Sequence, residues 1–150
     1  MNISVSGVTD FPALPVGIAL ISLRDPGDPL PDAVEAHDGP LLTLVFHDAD
    51  GDDLDEPPQP WHLRQIERFL VGPGAGQELH VHCFAGISRS PAVASFALTV
   101  LHPELADDDV VRRVLAVRPQ AQANPLILDL IDAHTGRELR AAWQAATERY

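Results

Sequence analysis

Leu79-His80-Val81-His82-Cys83-Phe84-Ala85-Gly86-Ile87-Ser88-Arg89-Ser90-Pro91 is the stretch around which the chain is organised. Leu79 to Val81 is a short apolar run that reads as a buried strand. Beyond the loop, Val93, Phe96, Ala97, Val100 and Leu101 recur at the spacing of one helical face. Strand, tight loop and helix therefore follow one another directly. Five residues separate Cys83 from Arg89, and Gly86 among them lets the loop curl. A loop of this kind turns successive backbone N–H groups inward, and the helix start adds its positive end. The expected product is an oxyanion cradle with a thiol beneath it and a guanidinium at its rim.

Outward from the loop, residues 2–6, 18–23, 41–46 and 78–82 read as strands bounded by Gly, Pro and acidic turns. The segment 9–16 is broken by Pro, and a short helix is expected around 31–36. Residues 61–70 are amphipathic, with Leu63, Ile66 and Leu70 facing inward. Trp61 and Trp143 are both assigned to the core. Asp107, Asp108 and Asp109 stand where acids stabilise a helix start, and Arg118-Pro119 ends that helix. Asn124 reads as an N-cap ahead of Pro125 at the first helical position, with Gly136 as the stop. Leu139, Ala142, Trp143 and Ala146 make one face of a last helix. Continuously apolar strands alternating with helices predict an α/β fold. The expectation is a single domain over residues 1–150 with four or five mostly parallel strands. Helices flank the sheet on both faces, and the C-terminal third is helical.

Composition narrows the partners. The chain has 150 residues and a net charge of −12, from 22 acids and 10 bases, every base being Arg. Such a surface repels nucleic acid and anionic membranes. No apolar run approaches the roughly 18 residues of a membrane helix. The N-terminus lacks a signal-peptide pattern, and the lone cysteine suits a reducing cytoplasm, which is the expected location.

The loop's chemistry follows from its residue types. A free cysteine titrates near 8.5; at a helix start beside Arg the value falls to about 3.5–7.5. Cys83 is therefore expected as a thiolate. The donors that stabilise it can also hold phosphoryl oxygens, Arg89 through two parallel bonds. Attack by sulfur would give a cysteinyl-phosphate. Ser90, just inside the helix, can hydrogen-bond the sulfur as it leaves. His82 is expected to order the loop through the backbone rather than act as a base.

His82-Cys83-Phe84-Ala85-Gly86-Ile87-Ser88-Arg89-Ser90 resembles the signature of the cysteine-dependent protein tyrosine phosphatase superfamily, in its dual-specificity-like branch. It is most similar to small bacterial predicted protein tyrosine phosphatases. These share the Ala-Gly-Ile-Ser-Arg-Ser run and a later Asn-x-Leu segment matched by Asn124 to Leu126. The resemblance spans residues 40–135 and implies a four-stranded parallel sheet. It implies a phosphomonoester hydrolase, foremost a protein-tyrosine phosphatase, with Cys83 as nucleophile and Arg89 binding the phosphate and the transition state. Phe84, Ala85, Gly86, Ile87 and Ser88 would complete the cradle. It further implies an Asp general acid on a loop upstream of the Cys, a role worth roughly 10²–10⁴ in rate. Asp48, Asp50 and Asp53 are the candidates. Asp48 is favoured because it stands at the carboxyl end of a strand, where ligands sit in open α/β sheets.

The rivals are a phospho-ligand-binding module without turnover and a rhodanese-type sulfurtransferase. The expected partner is a phosphotyrosine-containing protein or a small phosphate ester; the loop has no Lys for a polyphosphorylated headgroup. No cofactor and no metal are expected. The acidic run from Asp48 lacks the Gly and Glu spacing of a calcium loop. In His80-x-His82-Cys83 the Cys belongs to the cradle, and His80 reads as structural.

Overall fold

The computed structural model describes residues 2–49 and 56–147. Four parallel strands make one sheet in the order β1-β4-β2-β3. β1 is Ile3–Ser6, β2 is Ala19–Arg24, β3 is Leu41–Val45 and β4 is Leu79–His82. Val81 of β4 pairs with Val5 on one side and Ile21 on the other. The strand that feeds the loop is thus central, and all four of its residues are buried.

Side chains alternate between the two faces of a strand. Val5, Ile21, Leu23, Leu79, Val81 and Cys83 join the main core with Phe96, Leu98, Ile131 and Trp143. All the long helices contribute to this one cluster: α2 (Pro60–Val71), α3 (Arg89–Leu101), α4 (Asp107–Val117), α5 (Pro125–Thr135) and α6 (Leu139–Ala146). His80 and His82 fall on the opposite face. There the expected helical cover shrinks to the four-residue α1 (Asp32–Glu35). The rest is Phe11, whose ring meets both imidazoles edge-on at 5.2 Å. Residues 11–15 form no helix, and Pro12 and Pro15 lack the N–H that a helix interior would use.

α3 departs from the single apolar face read in the sequence. It is buried all round from Arg89 to Thr99, because it sits over β1 and β4 with α2, α4 and α5 against it. Trp61 also departs: it is 52% exposed, whereas Trp143 is fully buried and donates Nε1–H to Ser95 Oγ at 3.1 Å. Trp61 lies two positions before Leu63, about 200° round the helix, and so faces away from the core. Ala146 likewise faces solvent while Leu139, Ala142 and Trp143 face in. α5 begins as its sequence predicts, with Asn124 Oδ1 accepting the Ile127 N–H at 2.9 Å and Pro125 following. Among the described residues no helix is long and apolar enough to cross a membrane.

Candidate active site

The loop after β4 is held from outside by its carbonyls. Val8 N–H donates to Phe84 O at 2.8 Å, and Arg118 donates Nη2–H to Ala85 O and Nε–H to Gly86 O, both at 3.0 Å. Gln122 N–H reaches Ile87 O at 2.8 Å and Asn124 N–H reaches Ser88 O at 3.0 Å. A trans peptide unit is planar, so an outward C=O turns the next N–H inward. The N–H groups of Ala85, Gly86, Ile87, Ser88 and Arg89 therefore face the ring's interior. Gly86 N–H meets Cys83 Sγ at 3.2 Å. Gly86 has a φ of 72°, and a Cβ there would lie 2.5 Å from Gly7 N, so only glycine fits.

Cys83 is 2% exposed, and its sulfur lies 3.2 Å from Ser90 Oγ. Arg89 is buried rather than at the rim, with 4% of its surface exposed. Its Nη1 donates to Asp25 Oδ1 at 2.6 Å and to Phe46 O at 2.8 Å. Its Nε is buried with no partner among the described residues. A buried donor left unsatisfied costs about 1–3 kcal/mol, which a ligand oxygen would recover. Asp25 belongs to no local motif. The available signal was its position directly after β2, at the same sheet edge that singled out Asp48.

Asp48 follows β3 and is brought to the loop. Its Oδ1 accepts Ser88 Oγ–H at 2.6 Å and Asn124 Nδ2–H at 2.8 Å. Asn124 Nδ2 also reaches Ala49 O at 2.9 Å. The N-cap of α5 thus ties the acidic segment to the loop, a second role that capping alone does not announce. Asp48 Oδ2 has no partner among the described residues. Asp50 and Asp53 lie outside the described residues. Before that segment His47 N–H donates to Glu56 O at 2.8 Å, and Glu56 N–H donates to His47 Nδ1 at 2.9 Å.

His82 lies under the loop, with Nδ1 3.2 Å from Cys83 O and Nε2 2.6 Å from Ser22 Oγ. A carbonyl only accepts, so Nδ1 carries the proton and Nε2 accepts the Ser22 hydroxyl. Burial pushes the His82 pKa down, against the backbone bond that raises it. His80 has both ring nitrogens engaged, by Ser4 Oγ at 2.6 Å and Ser6 Oγ at 2.8 Å. Both imidazoles are thus buried and hydrogen-bonded through both ring nitrogens. Phe84 and Ile87 turn their side chains outward, 66% and 39% exposed. Beside Phe84 lies a cavity of about 330 Å³ walled by Val8, Pro29 and Pro31, with Arg24, Asp25 and Asp28.

No family model and no curated protein matches the chain by sequence. Solved structures do match. Human DUSP28 is 22% identical, with a TM-score of 0.64 over 97% of this chain and 95% of that one. A mouse protein described as a dual specificity phosphatase, complexed with zinc tungstate, is 25% identical, with a TM-score of 0.60 over 90% and 78%. The human tyrosine phosphatase-like serine/threonine/tyrosine-interacting protein is 18% identical, with a TM-score of 0.60 over 80% and 78%. The likeness extends well beyond residues 40–135, because β1 and β2 supply half of the sheet and the segment after β1 packs on the loop. The chain has the fold of the cysteine-dependent protein tyrosine phosphatase superfamily, as seen in its dual-specificity members.

Proposed function

We propose that the chain is a phosphomonoester hydrolase that works through a cysteinyl-phosphate on Cys83. The observation that carries this reading is Arg89. One end of its guanidinium is pinned by Asp25 and Phe46, and its buried Nε has no partner among the described residues, at the end of a loop whose N–H groups turn inward over a sulfur. That is a cradle for a tetrahedral oxyanion. The fold likeness to dual-specificity phosphatases supports phosphatase chemistry in general.

The Cys83 thiolate attacks phosphorus; the P–S bond forms as the ester P–O bond breaks. Asp48 gives the proton on Oδ2 to the leaving oxygen, its Oδ1 being held by Ser88 and Asn124. Water then attacks phosphorus and yields its proton to Asp48. The P–S bond breaks, and Ser90 Oγ–H stabilises the departing thiolate. The N–H groups of residues 85–89 and the Arg89 fork hold the phosphoryl oxygens throughout. The apolar wall of Val8, Pro29, Pro31 and Phe84 in the adjoining cavity supports an aryl ester, and so phosphotyrosine, as the preferred substrate.

Hydrolysis of an aryl phosphate by the purified protein is the test. Turnover that Cys83→Ser abolishes is expected. Phosphate binding without turnover would favour the phospho-ligand-binding module, a reading kept open by the phosphatase-like human protein of the same fold. Turnover of thiosulfate with cyanide in place of the ester would favour a sulfurtransferase.

A further inference from the structure

Arg118 directly follows α4 and caps it, and its local sequence marks nothing more. Its side chain is 11% exposed. It is directed wholly at the loop and at the segment after β1. Nε and Nη2 bond the carbonyls of Gly86 and Ala85, each at 3.0 Å, and Nη1 pairs with Asp10 Oδ2. The other carboxylate oxygen of Asp10 accepts Gly7 N–H at 2.8 Å. Gly7 is itself pressed on the loop: a Cβ there would come within 2.7 Å of Phe84 O and of Ala85 C.

The donors of a guanidinium are fixed relative to one another in one plane. Two successive carbonyls held by one fork are therefore fixed together. Peptide planarity passes that constraint to the N–H groups of Gly86 and Ile87. The first of these is the one that meets Cys83 Sγ. The Asp10 carboxylate sets the fork's angle through a charge-assisted bond.

We propose that Arg118, locked by Asp10, is a positioning residue for the cradle: it aims the Gly86 and Ile87 N–H groups at the sulfur and the bound oxyanion without touching either. The inference rests on reading the loop as the reacting site. Lys keeps the charge but is a point donor, so it cannot hold both carbonyls in one plane.

Arg118→Lys, Arg118→Ala and Asp10→Asn test this, with inorganic phosphate affinity by calorimetry, aryl phosphate kinetics, melting temperature and iodoacetamide labelling at pH 6. Cys83 is the sole cysteine, so labelling reports the site alone. Arg118→Lys is expected to weaken phosphate binding about tenfold and to slow labelling similarly, the scale of one misaligned hydrogen bond, at a nearly unchanged melting temperature. Asp10→Asn should move both readouts the same way by a smaller factor. Arg112→Lys, on the exposed face of α4, should move neither. Should Arg118→Ala fail to fold, the Lys and Asp10 variants still decide. Wild-type affinity and labelling in Arg118→Lys would overturn the proposal. If the wild-type protein binds phosphate but turns nothing over, the hydrolase reading fails and the brace is judged on binding. If it turns over and the variants match it, the brace fails alone.

Discussion

Arg89 Nη1 donates to Asp25 Oδ1 at 2.6 Å, and this fixes which end of the guanidinium faces a ligand. The Asp25 side chain is 40% exposed and that of Arg89 is 5% exposed, so the pair runs from the surface into the interior. Asp25→Asn keeps an acceptor, and Asp25→Ala removes it. The Ala variant should lose about tenfold or more in kcat/KM on an aryl phosphate, the scale of a charge-assisted bond to a buried partner, and the Asn variant clearly less. Equal losses in both would mean that Asp25 acts through charge and not through orientation.

Asp48 presents Oδ1 to Ser88 and Asn124, which leaves Oδ2 as the proton-carrying oxygen of the proposed acid. Asp48→Asn should lower kcat by roughly 10²–10⁴ on phenyl phosphate, and by less on an ester whose alcohol leaves easily. It should also remove the basic limb of the pH–rate profile. Asn124→Ala, which loosens the carboxylate without removing it, should cost less. If Asp53→Asn or Asp50→Asn removes that limb and Asp48→Asn does not, the acid is elsewhere in the segment.

Ser90 Oγ lies 3.2 Å from the sulfur and is buried. In the proposed mechanism its hydroxyl acts when sulfur leaves, so Ser90→Ala should slow the second step more than the first. Stopped-flow mixing with an aryl phosphate should show a burst of one phenol per site ahead of a steady rate about 10²-fold lower. A slowed reaction without a burst would place Ser90 in the first step.

The parts legible in the sequence were those with a local signature. β2 and β3 are largely apolar runs, β1 and β4 alternate Ile, Val and Leu with Ser and His, and the Cys83–Ser90 loop carries Cys, Gly and Arg at fixed spacing. Other features escaped because their partners are distant in the chain. Arg118 is 32 residues from Gly86 and 108 from Asp10, and no local pattern links them. α3 misled for another reason. Its sequence reads as one apolar face through Val93, Phe96, Ala97, Val100 and Leu101, yet Ser95 and Thr99 are buried too, with their hydroxyls donated to Pro91 O and Phe96 O. A polar residue satisfied by its own helix hides the face it occupies.

The imidazoles beneath the loop make stability depend on pH. Burial, then the neighbouring His82, holds His80 down at about 4 against an ordinary 6.5. Burial lowers His82 as well. Below pH 6.5 the unfolded chain binds protons that the native state refuses. The stabilisation is complete above pH 6.5 and drains away as pH falls toward 4. Urea unfolding at pH 7.5 and pH 5 should differ by about 2 kcal/mol for His80 alone, by linkage. A flat profile across that interval would show that His80 becomes protonated in the folded state.

The carbonyls of Phe84 through Ser88 are gripped by residues 8, 118, 122 and 124, which come from opposite ends of the chain. No single segment can therefore make the cradle by itself. Contacts so far apart in sequence close late in folding. The cradle is then a sensor of the whole molecule's integrity: it cannot be transplanted as a peptide, and loss of catalysis on heating should coincide with global unfolding rather than precede it. By the same coupling, an oxyanion present at a hundredfold excess over its Kd should stabilise the entire chain by about 2.7 kcal/mol.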